Sequence, residues 1–198
     1  MLHPNFVFLG VLLQFFGGLS YFLDTLKGKV KPNRVSFFLW SLAPFIAFTA
    51  EIKQGVGIQS LLTFIVGFSP LTIFIASFFN KKSFWQLGPL DWICGALSLT
   101  GLLLWYFTRV GNIAIAFSIV SDGLAYLPTM VKGYHHPETE NHWLYSLGVV
   151  NAGITLLTID TWNFAHYAFP LYIFLADAIM VSLIKFNFGQ KLQKVINT

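Results

Sequence analysis

Apolar residues run without interruption through seven stretches of this chain, at about 6–26, 35–50, 58–79, 87–107, 112–131, 143–160 and 164–186. None alternates with a period of two, so the pattern predicts helices and not the strands of a barrel. Each stretch approaches the roughly 20 residues that a helix needs to cross a hydrocarbon layer. The second and sixth are short and are expected to extend into the interfacial layer.

The stretches are related to one another. Residues 18–42, GLSYFLDTLKGKVKPNRVSFFLWSL, align without a gap on residues 123–147, GLAYLPTMVKGYHHPETENHWLYSL, at an offset of 105. Nine of the 25 positions are identical, among them Tyr21/Tyr126, Lys27/Lys132, Gly28/Gly133 and Pro32/Pro137. Apolar bias alone would give about two or three; a register this long marks an internal repeat. The offset maps the first, second and third stretches onto the fifth, sixth and seventh, and leaves the fourth without a mate. The third pair is weakly similar, with Phe64/Phe169 and Ser77/Ser182 matching. The expected organisation is a first three-helix repeat over 1–80, a linker helix over 81–108, a second repeat over 109–186 and a tail over 187–198. Two units that start on the same side run parallel, and the unmatched helix restores that orientation.

Composition places these helices in a bilayer. Hydrophobic residues make up 56% of the chain and charged residues 10%, against about 25% charge in a soluble domain. The first 25 residues have no basic segment before the apolar run, so no cleavable signal is expected. The single Cys94 excludes an internal disulfide and a cysteine zinc site. Lys and Arg set the orientation. With the N-terminus outside, ten basic residues (Lys27, Lys29, Lys31, Arg34, Lys81, Lys82, Lys132, Lys185, Lys191 and Lys194) fall inside, and only Lys53 and Arg109 outside. Trp85, Trp92 and Trp143 then sit at inner span ends and Trp105 and Trp162 at outer ones, as an aromatic belt requires. The net charge of +4 is thus a topology signal. The basic residues are too scattered to make a nucleic-acid groove.

The repeated loop carries a basic residue and a downstream proline in both copies, Lys27/Pro32 and Lys132/Pro137, and Leu127-Pro128-Thr129 precedes it in the second copy, where Leu23-Asp24 stands in the first. In these features and in its helix arithmetic the chain resembles the SWEET and PQ-loop superfamily of seven-helix transporters, whose members carry Pro-Gln before this loop. The resemblance implies an all-α integral membrane protein: seven transmembrane helices in a 3+1+3 parallel-repeat bundle, N-terminus outside and C-terminus inside. It also implies that Pro44 and Pro128 are two of the family's four hinge prolines, the other two positions being Leu23 and Val149. It does not carry a substrate over.

Ionisable side chains at mid-span cost about 2.5 kcal/mol or more and mark functional candidates, and neutral polar ones can join them. Asp122 lies near the middle of the fifth stretch, Asp177 of the seventh, Asn151 of the sixth and Gln14 of the first. At helical spacing, Gly10, Gln14, Gly17 and Tyr21 share one face, and so do Ile115, Ile119, Asp122 and Tyr126. Gly148, Asn151, Thr155 and Thr158 form a polar stripe; His166, Pro170 and Asp177 align. If both units face one pseudo-two-fold axis, the stripes meet in a central solute site with Asp122, Asn151 and Asp177 as its polar floor and Gln14 and Trp40 contributing. Asp122 and Asp177 are also the candidates for proton coupling; an ionised pair would instead select an amine or another cationic solute. The plain alternative is that both carboxyls hydrogen-bond a neighbouring helix as packing groups.

Elsewhere the chemistry is sparse. The loop His135–His142 carries His and Glu, but Pro137 punctuates it and Thr139 or Asn141 can cap the sixth helix, so no metal site is expected. The four charges between Lys27 and Arg34 suit anionic headgroups. No phosphate loop, nucleophilic triad or His-Glu-x-x-His motif is present, so neither an enzyme nor a cofactor is expected. Lys185 sits at an inner helix end, which disfavours a retinal pigment. The chain is therefore read as an alternating-access transporter of a small polar solute in a prokaryotic plasma membrane. Related half-size units work as dimers, so two fused units suffice as a monomer, and a homo-oligomer stays open. The alternatives are a receptor or membrane assembly factor of the same architecture, and a lipid-handling protein.

Overall fold

A computed structural model of the chain describes residues 2–108 and 110–196. The expectations placed on Arg109, and on the side chains of Trp105 and Lys194, lie outside the described residues. The described residues form helices and no strands: α1 (Phe6–Leu26), α2 (Arg34–Lys53), α3 (Leu61–Ala76, entered through a 3-10 turn at Gly57–Ser60), α4 (Pro89–Thr108), α5 (Gly111–His135), α6 (His142–Leu157), α7 (Phe164–Ile184) and α8 (Phe188–Ile196). Their starts follow local chemistry. The Asn33 side chain accepts from the amides of Val35 and Ser36, and Asn141 caps α6 by accepting from Trp143 at 2.8 Å. Gly28, at φ +72°, lets the chain turn out of α1. The segment expected as a tail contains α8, set off from α7 by Asn187 at φ +51°.

Among the described residues, five helical segments are long and apolar enough to cross a membrane: Phe6–Leu26, Arg34–Lys53, Gly57–Ala76, Gly111–His135 and Phe164–Ile184. The described apolar part of α4 is shorter, Pro89–Leu103, and α6 has 16 residues, about 24 Å of helix. Among the described residues, five of the seven expected spans thus meet the length and composition of a membrane helix.

α1 is inverted relative to a helix of a soluble protein. α1 buries Val7, Gly10, Gln14, Gly17, Gly18, Tyr21 and Thr25, and turns outward Phe6, Phe8, Leu9, Leu12, Phe15, Phe16, Leu19, Leu23 and Leu26. Water would not tolerate such a face; hydrocarbon does. The small residues let helices approach closely. A methyl group at Gly17 would come within 2.8 Å of the Trp143 carbonyl oxygen on α6, and one at Gly18 would meet the Ser69 side chain of α3.

Six helices close into a ring. α1 packs on α3 and α3 on α2; α5 packs on α7 and α7 on α6; α1 then meets α6, and α2 meets α5. α4 lies outside the ring, mainly against α5. The α1–α2, α3–α4 and α5–α6 connections share one end, where Lys31 N donates to Thr139 O at 2.9 Å and Asn80 Nδ2 to Leu26 O at 2.8 Å. This end carries Lys27, Lys29, Lys31, Lys81 and Lys82 and is called the lysine-rich end below. At the opposite end Leu2 N donates to Leu157 O and Gln59 Nε2 to Thr158 O.

Gly17→Ala should destabilise the protein by about 1–3 kcal/mol, because the neighbour of the added methyl is rigid backbone. Gly153→Ala should be close to neutral, since its methyl would sit in ordinary contact with Phe174 at 3.5 Å. Thermal unfolding in detergent or nanodiscs compares the two.

Candidate functional site

The ring has two apolar cores. At the lysine-rich end Tyr21, Phe37, Trp40, Tyr126, Tyr145 and Met180 pack together. At the opposite end the core is built of smaller groups, among them Ala47, Ala50, Ala114, Ala152 and Ala168, around Ile115, Phe169 and Ile173. Between them lies a cavity of about 20 Å³, room for about one water molecule. Gln14 from α1, Trp40 from α2, Val66 and Pro70 from α3, Asp122 and Tyr126 from α5, Leu144 and Tyr145 from α6 and Asp177 from α7 line it. Every helix of the ring contributes.

Of the five residues expected at the solute site, Gln14, Trp40, Asp122 and Asp177 line this cavity. Asn151 does not. Its side chain packs against Gly10, where α1 and α6 touch, is wholly buried, and finds no hydrogen-bond partner for either polar atom. The polar stripe of α6 faces α1 there. Gly148 is the part of that stripe that reaches the cavity: a methyl group on it would collide with Asp177 Oδ2 and lie 3.1 Å from Gln14 Oε1. His166, expected on the Asp177 face, instead turns to the opposite end and pairs with Asn163 at 2.7 Å.

Both carboxyls are held by tyrosines. Tyr126 Oη donates to Asp177 Oδ1 at 2.6 Å, and Tyr172 Oη to Asp122 Oδ2 at 2.8 Å. Trp40 Nε1 donates to the Asp122 carbonyl at 3.3 Å, which ties α2 to α5 beside the cavity. The same seam is fastened by Ser36 Oγ, which donates to Ala125 O at 2.7 Å, and by Thr129 Oγ1, which donates to Ser36 Oγ at 3.0 Å.

Below the cavity a quartet of rings respects the 105-residue offset. Tyr21 corresponds to Tyr126, and Trp40 to Tyr145. The Trp40 ring lies 4.3 Å from that of Tyr126 and 6.5 Å from that of Tyr145, centroid to centroid. Tyr21 and Tyr145 donate to one carboxylate oxygen of Glu140, at 2.8 and 3.0 Å. Glu140 in turn pairs with Lys132, both side chains being shut away from solvent. Lys132 Nζ also donates to the Lys31 carbonyl at 2.5 Å and stands 5.1 Å from the Trp85 ring centre. This lock joins α1, α5, α6 and both repeat loops.

The sequence singled out Lys132 as the repeat partner of Lys27, but the two differ in role: Lys27 is exposed and Lys132 is 2% exposed. Glu140 gave no signal, because a loop carboxylate ordinarily faces water. Tyr126 was legible as the repeat partner of Tyr21 on the Asp122 face, whereas Tyr172 was not singled out. Glu51, in the last turn of α2, was also missed. It is 1% exposed, accepts from Thr63 Oγ1 at 3.0 Å and has a second oxygen without a partner. Pro44 and Pro128 lie inside α2 and α5, as Pro70 and Pro170 lie inside α3 and α7; each removes one helical hydrogen bond. Among the described residues no group of three or more His, Cys, Asp or Glu side chains is placed to hold a metal ion.

No protein-family model matches this chain, and neither a curated protein nor a solved structure matches it.

The lock predicts a specific asymmetry. Lys132→Met strands Glu140 in the interior and should cost about 3–5 kcal/mol, whereas Lys132→Met combined with Glu140→Gln should recover much of that loss. A double-mutant cycle on unfolding stability measures the coupling.

Proposed function

We propose that this membrane protein is an alternating-access transporter of a small polar solute, with seven transmembrane helices in a 3+1+3 SWEET-like arrangement, its N-terminus outside and its lysine-rich end facing the cytoplasm. One observation carries the reading: Asp122 and Asp177, with Gln14 and Trp40, line one small cavity where α1–α3 meet α5–α7. Buried acids in a lipid-embedded bundle are expensive to keep and are found where transport chemistry needs them. The packing order α1–α3–α2 and α5–α7–α6, joined by α1 to α6 and α5 to α2, is what two parallel repeats about one axis would give.

In this reading the ring moves about the cavity as two units. The path to the cytoplasm is closed by the aromatic quartet and the Lys132–Glu140 lock. The path outward is closed by the alanine-rich core around Ile115, Phe169 and Ile173. Opening either end while the other stays shut exposes the Asp residues to one side at a time. Pro44 and Pro128 serve as the hinges, since each leaves a carbonyl unbonded where its helix would bend. Asp122 and Asp177 are the groups that can take up a proton on one side and release it on the other.

A lipid-handling role needs a polar groove open to the bilayer. The groove of about 500 Å³ between α2, α3 and α4 is walled by Phe38, Leu39, Phe74, Trp92 and Leu99, with Arg34 its one charged lining residue among those described. It suits an acyl chain and offers no headgroup path.

Reconstituted vesicles should show saturable solute uptake, reduced about tenfold or more by Asp122→Asn and by Asp177→Asn. A demonstrated flux that both substitutions leave unchanged would remove the carboxyls from the mechanism. A receptor or assembly factor would show no flux for any solute.

A further inference from the structure

The polar lining of the central cavity is strongly one-sided. Asp122 Oδ1 and Gln14 Oε1 are buried acceptors without a hydrogen-bond partner. Asp122 is 1% exposed, Gln14 3% and Asp177 4%. Gln14 Oε1 and Asp177 Oδ2 both lie against Gly148. The hydroxyls of Tyr126 and Tyr172 are already committed to the two carboxyls, and the Trp40 indole N–H is committed to the Asp122 carbonyl.

The charge balance is equally uneven. Among the described residues no Lys, Arg or His lines the cavity. Lys132 is the one buried basic side chain among them, and it is spent on Glu140 and the Lys31 carbonyl. Asp122 and Asp177 therefore face the cavity with no fixed countercharge, in a setting where an uncompensated charge is costly. The remaining wall is apolar, aromatic at Trp40, Tyr126 and Tyr145 and aliphatic at Val66, Pro70 and Leu144.

These three features select a ligand class. The unpartnered carboxylate oxygen of Asp122 calls for an N–H group, ionised carboxyls without a countercharge call for a cation, and aromatic rings attract one. A primary ammonium supplies a positive charge and three donors on an atom about the size of a water oxygen, which the cavity can hold. A quaternary ammonium has the charge and no N–H. A sugar has donors and no charge. An amino acid would bring its own carboxylate beside two others, with no cation to receive it.

We infer that the cavity is a recognition site for a primary ammonium group and that the solute is a small organic amine. The inference deepens the transporter reading: the movement of the amine rests on that reading, and its binding does not. The body of the amine requires the ring to open on one side, because only the ammonium fits the closed cavity.

The test separates binding from transport. The unfolding temperature of the full chain in nanodiscs is measured against methylammonium, tetramethylammonium, glycine and glucose at constant ionic strength. Methylammonium should raise it saturably and the other three should not. Asp122→Asn and Asp177→Asn should each weaken the methylammonium response about tenfold, the loss of one charge-assisted contact. The wild-type comparison stands even if a variant fails to fold. Absence of a methylammonium response, or an equal response to tetramethylammonium or glucose, overturns the inference. Vesicle uptake of the same four probes then tests the transporter reading. Saturable uptake of glucose or glycine alone would keep the transporter and discard the amine. Methylammonium binding with no uptake of any probe would keep the site and discard transport.

Discussion

A helix surrounded by lipid has no water to which it can hand its polar side chains, so they turn into the bundle. α1 shows the consequence residue by residue: phenylalanines and leucines point outward, while Gln14, Tyr21 and Thr25 and the glycines between them point in. The glycines bring α1 within reach of α6 and α3. That closeness lets polar groups from different helices serve one another. The ring, its cavity and its lock all follow from this inward turn.

The two ends of the ring are closed by different physics. At the lysine-rich end a buried ion pair, two tyrosine hydroxyls and a backbone carbonyl converge on Lys132 and Glu140. Opening this end must break charge-assisted bonds, but water can replace them once it enters. At the opposite end the closure is apolar and composed of small side chains, so opening parts surfaces without stranding a charge there, Glu51 excepted. In the transporter reading the two closures need to be of similar strength. An ionic lock repaid by hydration and a modest apolar contact can meet that condition.

The helices were legible because their apolar runs are continuous; α1 begins and ends where its pattern does, at Phe6 and Leu26. Asn141 as the cap of α6 was legible for a local reason, since an Asn before an apolar run serves the first free amides. What could not be read was tertiary. α8 lies in a short polar segment that no span pattern marks. Asn151 shares its helix face with Gly148, yet one turn of α6 carries it past the cavity onto Gly10. Glu140 acquires its role only because the loop folds back over Lys132, eight positions earlier. The tyrosine that holds each Asp comes from the partner helix, Tyr126 on α5 for Asp177 and Tyr172 on α7 for Asp122. Sequence spacing within one helix carries no trace of such exchanges.

Alternating access, as proposed, requires the cavity to open to each side in turn. Cys94 is buried and is the single cysteine of the chain, so a Cys94→Ser background permits one new thiol at Leu144 on the cavity wall. Membrane-impermeant thiol reagents applied to oriented vesicles, from one side and then from the other, measure its accessibility. Alternating access predicts labelling from both sides, with reaction at one side slowed when solute is supplied at the other. A thiol that reacts from neither side, or from one side only under every condition, would contradict it.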